Sequence, residues 1–198
     1  MATPTRNDRR RARTREHLAA VARALFERHG YEAVTMEQIA AEADVARGTL
    51  YNHFALKEAV LAHALHAQLA HDLEPLLHKV VARRSLRTQL AGVMEASARW
   101  WEAHRSYAAP YIRHRFQMLG DGNAGQGDSE MLTLYETLIE QAQSQGEIRN
   151  DIPAALLSSH LHFLYLGALL RWLEDRRIKL TDELTGALAF FMAGAAVR

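Results

Sequence analysis

Between residues 45 and 60 the chain reads VARGTLYNHFALKEAV, placing a glycine, two aromatics and a histidine inside one run of helical spacing. A helix selected only for its own stability favours Ala, Leu, Glu and Lys, and glycine costs it about 1 kcal/mol. On a helix turning about 100° per residue, Ala46, Leu50 and Phe54 gather on one side, suited to packing. Gly48 and Asn52 hold the middle of the opposite side, with Arg47, Thr49 and Tyr51 flanking them and His53 at the border. The chemistry on offer is hydrogen bonding to a duplex. A guanidinium at Arg47 matches guanine O6 and N7, and an amide at Asn52 matches an adenine edge. Tyr51, Thr49 and His53 carry donors for phosphate oxygens, which position a helix without reading sequence. The missing side chain at Gly48 lets the backbone approach closely. Lys57 adds a positive charge beside the start of the next helix, itself an anion site, and Thr35 is similarly placed one helix earlier.

These residues need rigid supports, and the flanking sequence supplies start and stop signals for them. From Thr14 to His29, Leu18, Val21, Ala22, Leu25 and Phe26 form the stripe of an amphipathic helix, with Gly30 placed to end it. VTMEQI offers Thr35 as N-cap and Gln38 as its capping-box partner, with Val34 and Ile39 as a hydrophobic staple, so a helix is expected from Met36 to about Ala43. A short turn, EADVA, then leads into the opening stretch. Two short helices joined by a few residues, the second polar on its outer face, describe a helix-turn-helix.

The string TMEQIAAEADVARGTLYNHFALKEAVL resembles the N-terminal DNA-binding segment of the TetR family of bacterial transcriptional regulators, over roughly residues 14 to 63. The resemblance implies base contacts from Arg47, Gly48, Tyr51 and Asn52, and phosphate contacts from Thr35, Thr49, Tyr51, His53 and Lys57. It implies a dimer whose last two long helices form a four-helix bundle between subunits. A ligand pocket in the C-terminal domain, whose occupant releases the operator, is implied as well. Two positions depart from the family pattern. Asp44 stands where the turn usually has glycine, and Asp tolerates the left-handed conformation. Leu56 stands where a small polar N-cap commonly precedes the lysine.

Beyond Lys57 the spacing stays helical, with a long helix expected to about Leu73, before Pro75. In SLRTQLAGVMEASARWWEAH, Leu90, Val93, Met94, Ser97, Trp101 and His104 share one face. Aromatic and polar groups cluster from Trp100 through Tyr107 and Tyr111 to His114 and Met118, as small-molecule clefts require. The expected ligand lining is therefore Met94, Ser97, Trp101, His104, Tyr107, Tyr111 and His114, with Phe163 added from a later helix. The segments at about 153–173 and 181–197 are apolar over wide arcs, so one face can pack inward and another against a second copy. In the last of them Thr181 is the expected cap, Asp182 and Glu183 suit the positive end, and Leu184, Leu188, Phe191 and Ala195 form one stripe.

Composition narrows the alternatives. Of 198 residues, 48% are hydrophobic and 24% charged, as in a globular protein, and no cysteine is present for disulfides or thiolate metal sites. The N-terminus has no apolar core of the signal-peptide kind, and the longest apolar run, GALAFFMAGAAV, is too short to span a bilayer. A cytoplasmic protein without a membrane partner is expected. Net charge is +1, yet residues 1 to 15 hold six arginines against Asp8, an arm suited to a polyanion. The connector GDGNAGQGD contains G-x-G-x-x-G at Gly120, Gly122 and Gly125, but it follows a helical segment instead of a strand, so it reads as a loop. His63 and His66 can share a helix face while His160 and His162 cannot, and nothing completes a metal set. H-E-x-x-H, G-x-S-x-G and the P-loop pattern are all missing.

The resulting expectation is an all-α chain: a basic arm (1–13), a three-helix helix-turn-helix DNA-binding domain (14–60) and a helical ligand-binding and dimerisation domain (61–198). It would act, without catalysis, cofactor or metal, as a repressor on a palindromic double-stranded operator, released by a small, largely apolar or aromatic effector. An activator, or a helical small-molecule binder with an unused DNA face, are the alternatives.

Overall fold

The computed structural model describes residues 5–65, 67–68, 85–120 and 130–196, all of whose regular elements are α-helices. Two compact units divide the chain, Met1–Gln68 and Leu69–Arg198.

The first unit opens with α1 (Arg6–His29). It begins eight residues before the expected start at Thr14, so residues 6–13 are helix instead of a separate arm. The cause is local: Thr5 and Asp8 form a capping box that satisfies orphan N–H groups at the new start. Gly30 closes α1 at φ 81, a conformation that suits glycine. The helix α2 (Met36–Glu42) carries the expected box, with the Gln38 N–H donating to Thr35 Oγ1 at 3.2 Å and the Thr35 N–H to Gln38 Oε1 at 2.8 Å. In the turn, Asp44 takes the left-handed conformation at φ 53. Its own N–H donates to the Ala41 carbonyl, and that of Val45 to Ala40. The helix α3 (Arg47–His53) follows, then α4, described over residues 57–65 and 67–68. Leu18, Ala22 and Phe26 of α1, Ile39 of α2, Leu50 and Phe54 at α3, and Val60 and Leu61 of α4 are all buried and form one core.

In the second unit, α5 (Leu86–Ala103), α6 (Arg105–Gly120), α7 (Glu130–Ser144), α8 (Ala154–Glu174) and α9 (Leu180–Ala195) bury Leu90, Met94, Tyr135, Leu161, Leu169 and Leu188 among others. Several helix ends are capped by side chains from far along the chain. Glu147 Oε1 accepts from the Leu86 N–H at 2.7 Å, and Glu102 Oε1 from the Leu180 N–H at 3.2 Å. Arg105 Nη2 donates to the Trp172 carbonyl at 2.6 Å near the end of α8. The Glu102 contact corrects the expected cap at Thr181. The helix α9 starts at Leu180, which is wholly buried, and takes its acceptor from α5. The glycine motif beyond Gly120, the helix end near Leu73 and the His66 of the histidine pair lie outside the described residues, as does the side chain of Met118.

Candidate nucleic-acid interface

Leu50 and Phe54 seat α3 on the core at 0% and 2% exposure, which fixes the face it offers outward. Ala46, expected to pack beside them, is exposed: its backbone is extended at φ −61 and ψ 143, so helical phase does not yet apply to it. Arg47, Gly48, Tyr51 and Asn52 are exposed, and Thr49 and His53 half-buried. An added Cβ at Gly48 would meet no atom within 4 Å. Packing therefore gives no reason for the glycine.

Arg47 does not hang free. Its Nη2 lies 2.7 Å from Glu37 Oε1 of α2, and its guanidinium carbon sits 5.4 Å from the centre of the Tyr51 ring. The pair is exposed on both sides, where such bridges contribute about 0–1 kcal/mol, so a competing base edge or phosphate can displace Glu37 readily. Thr35 is exposed at the start of α2, its hydroxyl accepting the cap bond.

Lys57 is placed differently from the phosphate contact expected of it. Its ammonium donates to the Tyr31 and Val34 carbonyls, each at 2.9 Å, and sits 4.2 Å from the centre of the Tyr31 ring. The side chain thus fastens the start of α4 to the α1–α2 connection, because three carbonyl and aromatic acceptors outbid open solvent for one cation. The Leu56 side chain offers no acceptor to cap α4, and the Leu56 carbonyl receives the Ala59 and Val60 N–H groups.

His53 is held below the ordinary histidine range by burial first, then by the charges of Arg11 and Arg15. Neither arginine was singled out from the sequence. Glu37 was missed as well, although its position in the first turn of α2, ten residues before Arg47, could have suggested the pairing.

Among the ligand-lining candidates of the second unit, Met94, Ser97, Trp101 and Tyr111 are all buried. Ser97 Oγ lies 2.7 Å from the Tyr165 hydroxyl, which also accepts from Trp101 Nε1, and the Trp101 and Tyr111 rings are 5.2 Å apart. Two further residues complete this polar centre. Tyr135 is fully buried, its hydroxyl lacks a partner, and burial pushes it well above the ordinary tyrosine range, with Tyr165 and Tyr111 adding to the effect. His162, 4% exposed, is pushed down to about 4 by burial and then by Arg115. Arg115 Nη2 lies 3.5 Å from its Nε2. The i, i+3 relation of His162 to Tyr165 was the signal available in the sequence.

His104 ends α5, stacked on Trp100 at 4.3 Å with Tyr107 on from it at 5.9 Å, and its Nδ1 is 2.8 Å from the Trp100 carbonyl. His114 is half-buried on α6. Phe163 is 47% exposed, two residues from Tyr165 and so on the far side of α8; it lines an apolar groove of about 410 Å³ with Leu157, His160, Leu164, Phe190 and Phe191. Half a turn of helix separates it from the polar centre. Among the described residues no three His, Asp or Glu side chains converge as a metal site, and no helix is long and apolar enough to cross a membrane.

Residues 18–64 match the family described as bacterial regulatory proteins, tetR family. Over 196 residues, 96% of this chain and 95% of the other, the chain is 29% identical to a Mycobacterium tuberculosis protein provisionally named as the mycofactocin biosynthesis transcriptional regulator MftR. It is 29% identical over 151 residues to the HTH-type transcriptional repressor KstR2 of Rhodococcus jostii, covering 72% of this chain and 71% of that one. A similar solved structure is Thermus thermophilus FadR, a TetR-family repressor in complex with lauroyl-CoA. The TM-score is 0.76 at 25% identity, with 93% of this chain and 96% of that one covered.

Proposed function

We propose that the chain, whose residues 18–64 match the TetR family of bacterial regulatory proteins, is a ligand-responsive repressor of that family that blocks transcription by binding an operator. The observation that carries this is α3, whose outward face holds Arg47, Gly48, Tyr51 and Asn52 exposed while Leu50 and Phe54 fix it to the core. Arg47, Tyr51 and Asn52 reach base edges, and Thr35, Thr49, Tyr51 and His53 take phosphates. Such a regulator works where the bacterial chromosome is, in the cytoplasm.

The operator is palindromic and the protein dimeric, with α8 and α9 as the interface. Support comes from four large apolar side chains left exposed on these helices, Leu156, Phe163, Leu170 and Phe190 at 48%, 47%, 38% and 73%. A two-fold pair would set two copies of α3 about 34–36 Å apart, one turn of DNA.

The effector is largely apolar and brings a hydrogen-bond acceptor to Tyr135. A buried hydroxyl without a partner costs roughly 1–3 kcal/mol, which an acceptor on the ligand would recover. The lauroyl-CoA bound by Thermus thermophilus FadR has such a carbonyl on an apolar chain and is the first compound to try.

The test is fluorescence anisotropy with the DNA flanking the protein's own gene, at about 150 mM salt with scrambled competitor. Binding tighter than about 10⁻⁷ M, lost in Tyr51→Ala and reversed by effector, is the expected result. No preference over the competitor would count against a nearby operator. Tyr135→Phe should keep DNA affinity and weaken the effector response; an unaltered response removes Tyr135 from the ligand site.

A further inference from the structure

The face of α1 that buries Leu18, Ala22 and Phe26 continues N-terminally through Arg15 and Arg11, at three- and four-residue steps. These two of the six arginines therefore lie toward the body of the unit, and Arg9 and Arg13 lie half a turn away. Arg15 is half-buried, with its guanidinium carbon 4.7 Å from the centre of the Phe54 ring, next in sequence to His53. Its Nε is buried without a hydrogen-bond partner, and so is His53 Nδ1.

Among the described residues neither Arg11 nor Arg15 forms an ion pair. Asp8, whose carboxyl the Arg11 charge helps to hold below the usual range, spends its hydrogen bonds on the cap, one oxygen taking the Thr5 N–H at 2.9 Å and the Thr5 hydroxyl at 2.7 Å. His63, whose ring is 5.6 Å from that of Phe54, is held below the ordinary histidine range by burial and then by Arg15, with Glu16 opposing them. Two guanidiniums on one face of α1 thus lie on the side of His53, which burial keeps as a neutral hydrogen-bonding ring at the border of the outward face of α3. Burial and then the Arg11 charge hold Arg15 below the usual guanidinium range, and burial followed by Arg11 and Arg15 holds His53 below that of histidine.

We propose that Arg11, Arg15 and His53 form a seat for a backbone phosphate of bound DNA, so that the first turns of α1 grip the duplex alongside α3. The seat rests on the DNA-binding reading above. It divides the basic N-terminus into two arginines with a defined anion to hold and others that are solvated.

The experiment compares full-length wild-type protein with Arg11→Gln and Arg13→Gln, which remove the same charge from opposite faces of α1. Each is titrated with the upstream DNA fragment and with a random duplex of equal length, from about 50 to 200 mM salt. For Arg11→Gln, both duplexes should bind more weakly, with the slope of log Kd against log salt reduced by about 0.9. Arg13→Gln should keep the wild-type slope. Arg15→Gln and Arg15→Lys separate charge from packing on Phe54: the lysine retains the slope and the glutamine loses it, with helicity followed by circular dichroism. Equal slope losses in Arg11→Gln and Arg13→Gln, or none in either, overturn the seat while leaving operator binding intact. Absence of salt-dependent binding by the wild type to any duplex removes the DNA reading and the seat with it.

Discussion

At Gly48 a methyl group would meet nothing within 4 Å, and the residue is the second of α3. Gly48→Ala should therefore leave the fold intact and raise its stability by up to about 1 kcal/mol, the difference in helix propensity. Operator binding should fall in the same variant. A melting temperature that rises while anisotropy binding weakens would place the reason for the glycine outside the chain; unchanged binding would return it to chance. His162 makes a second residue-scale prediction. Its value drops from an ordinary 6.5 to about 4 on folding, chiefly through burial, so between these values the unfolded chain binds a proton that the folded one refuses. Stability from this group is present above pH 6.5 and lost as pH falls toward 4. From pH 7 to pH 5 the loss is about 2 kcal/mol. Urea midpoints at the two pH values measure it, and His162→Gln should shrink the difference.

At the scale of elements, α4 has no side-chain cap at Leu56, yet its first residue is tied down by the Lys57 ammonium on two carbonyls. Lys57→Met keeps most of the stem and removes the donor. It should cost roughly 1–3 kcal/mol, because carbonyls at the α1–α2 connection lose a charged partner. Chemical denaturation checks this directly. A variant as stable as wild type, but deficient on DNA, would restore Lys57 to the phosphate role. The elements also show what local sequence signals can reach. The capping box at Thr35 formed as read because both partners lie within one turn and need nothing else. The box at Thr5, of the same kind, was passed over among the arginines, so α1 starts earlier than expected. The cap of α9 escapes local signals for the opposite reason: Glu102 lies 78 residues away, and no local rule points to it.

For the whole molecule, the exposed apolar side chains of α8 and α9 are the feature to explain. Phe190 alone is 73% exposed. Phe190→Glu places a carboxylate there, whose desolvation against a second copy would be costly. Sedimentation should show the wild type as a dimer and the variant shifted toward monomer, with operator affinity falling and the circular dichroism spectrum kept. Two proteins of equal size in that comparison would move the interface off this face.

The helical class and the outward side of α3 are legible in the sequence. Periodicity, caps and turn residues act over a few positions, and the exposed side of α3 follows from which of its residues the core claims, Leu50 and Phe54. Tertiary structure alone decided the roles that depend on distant neighbours. It turned Lys57 inward, set Glu37 against Arg47, moved Phe163 to an outer groove and gathered Tyr135, Tyr165 and His162 around Ser97 and Trp101. It also set the Arg15 guanidinium over the Phe54 ring, 4.7 Å from its centre and next in sequence to His53. Sequence spacing gives the face a side chain occupies on its own helix; whether an acid, a carbonyl or nothing waits there depends on packing between helices.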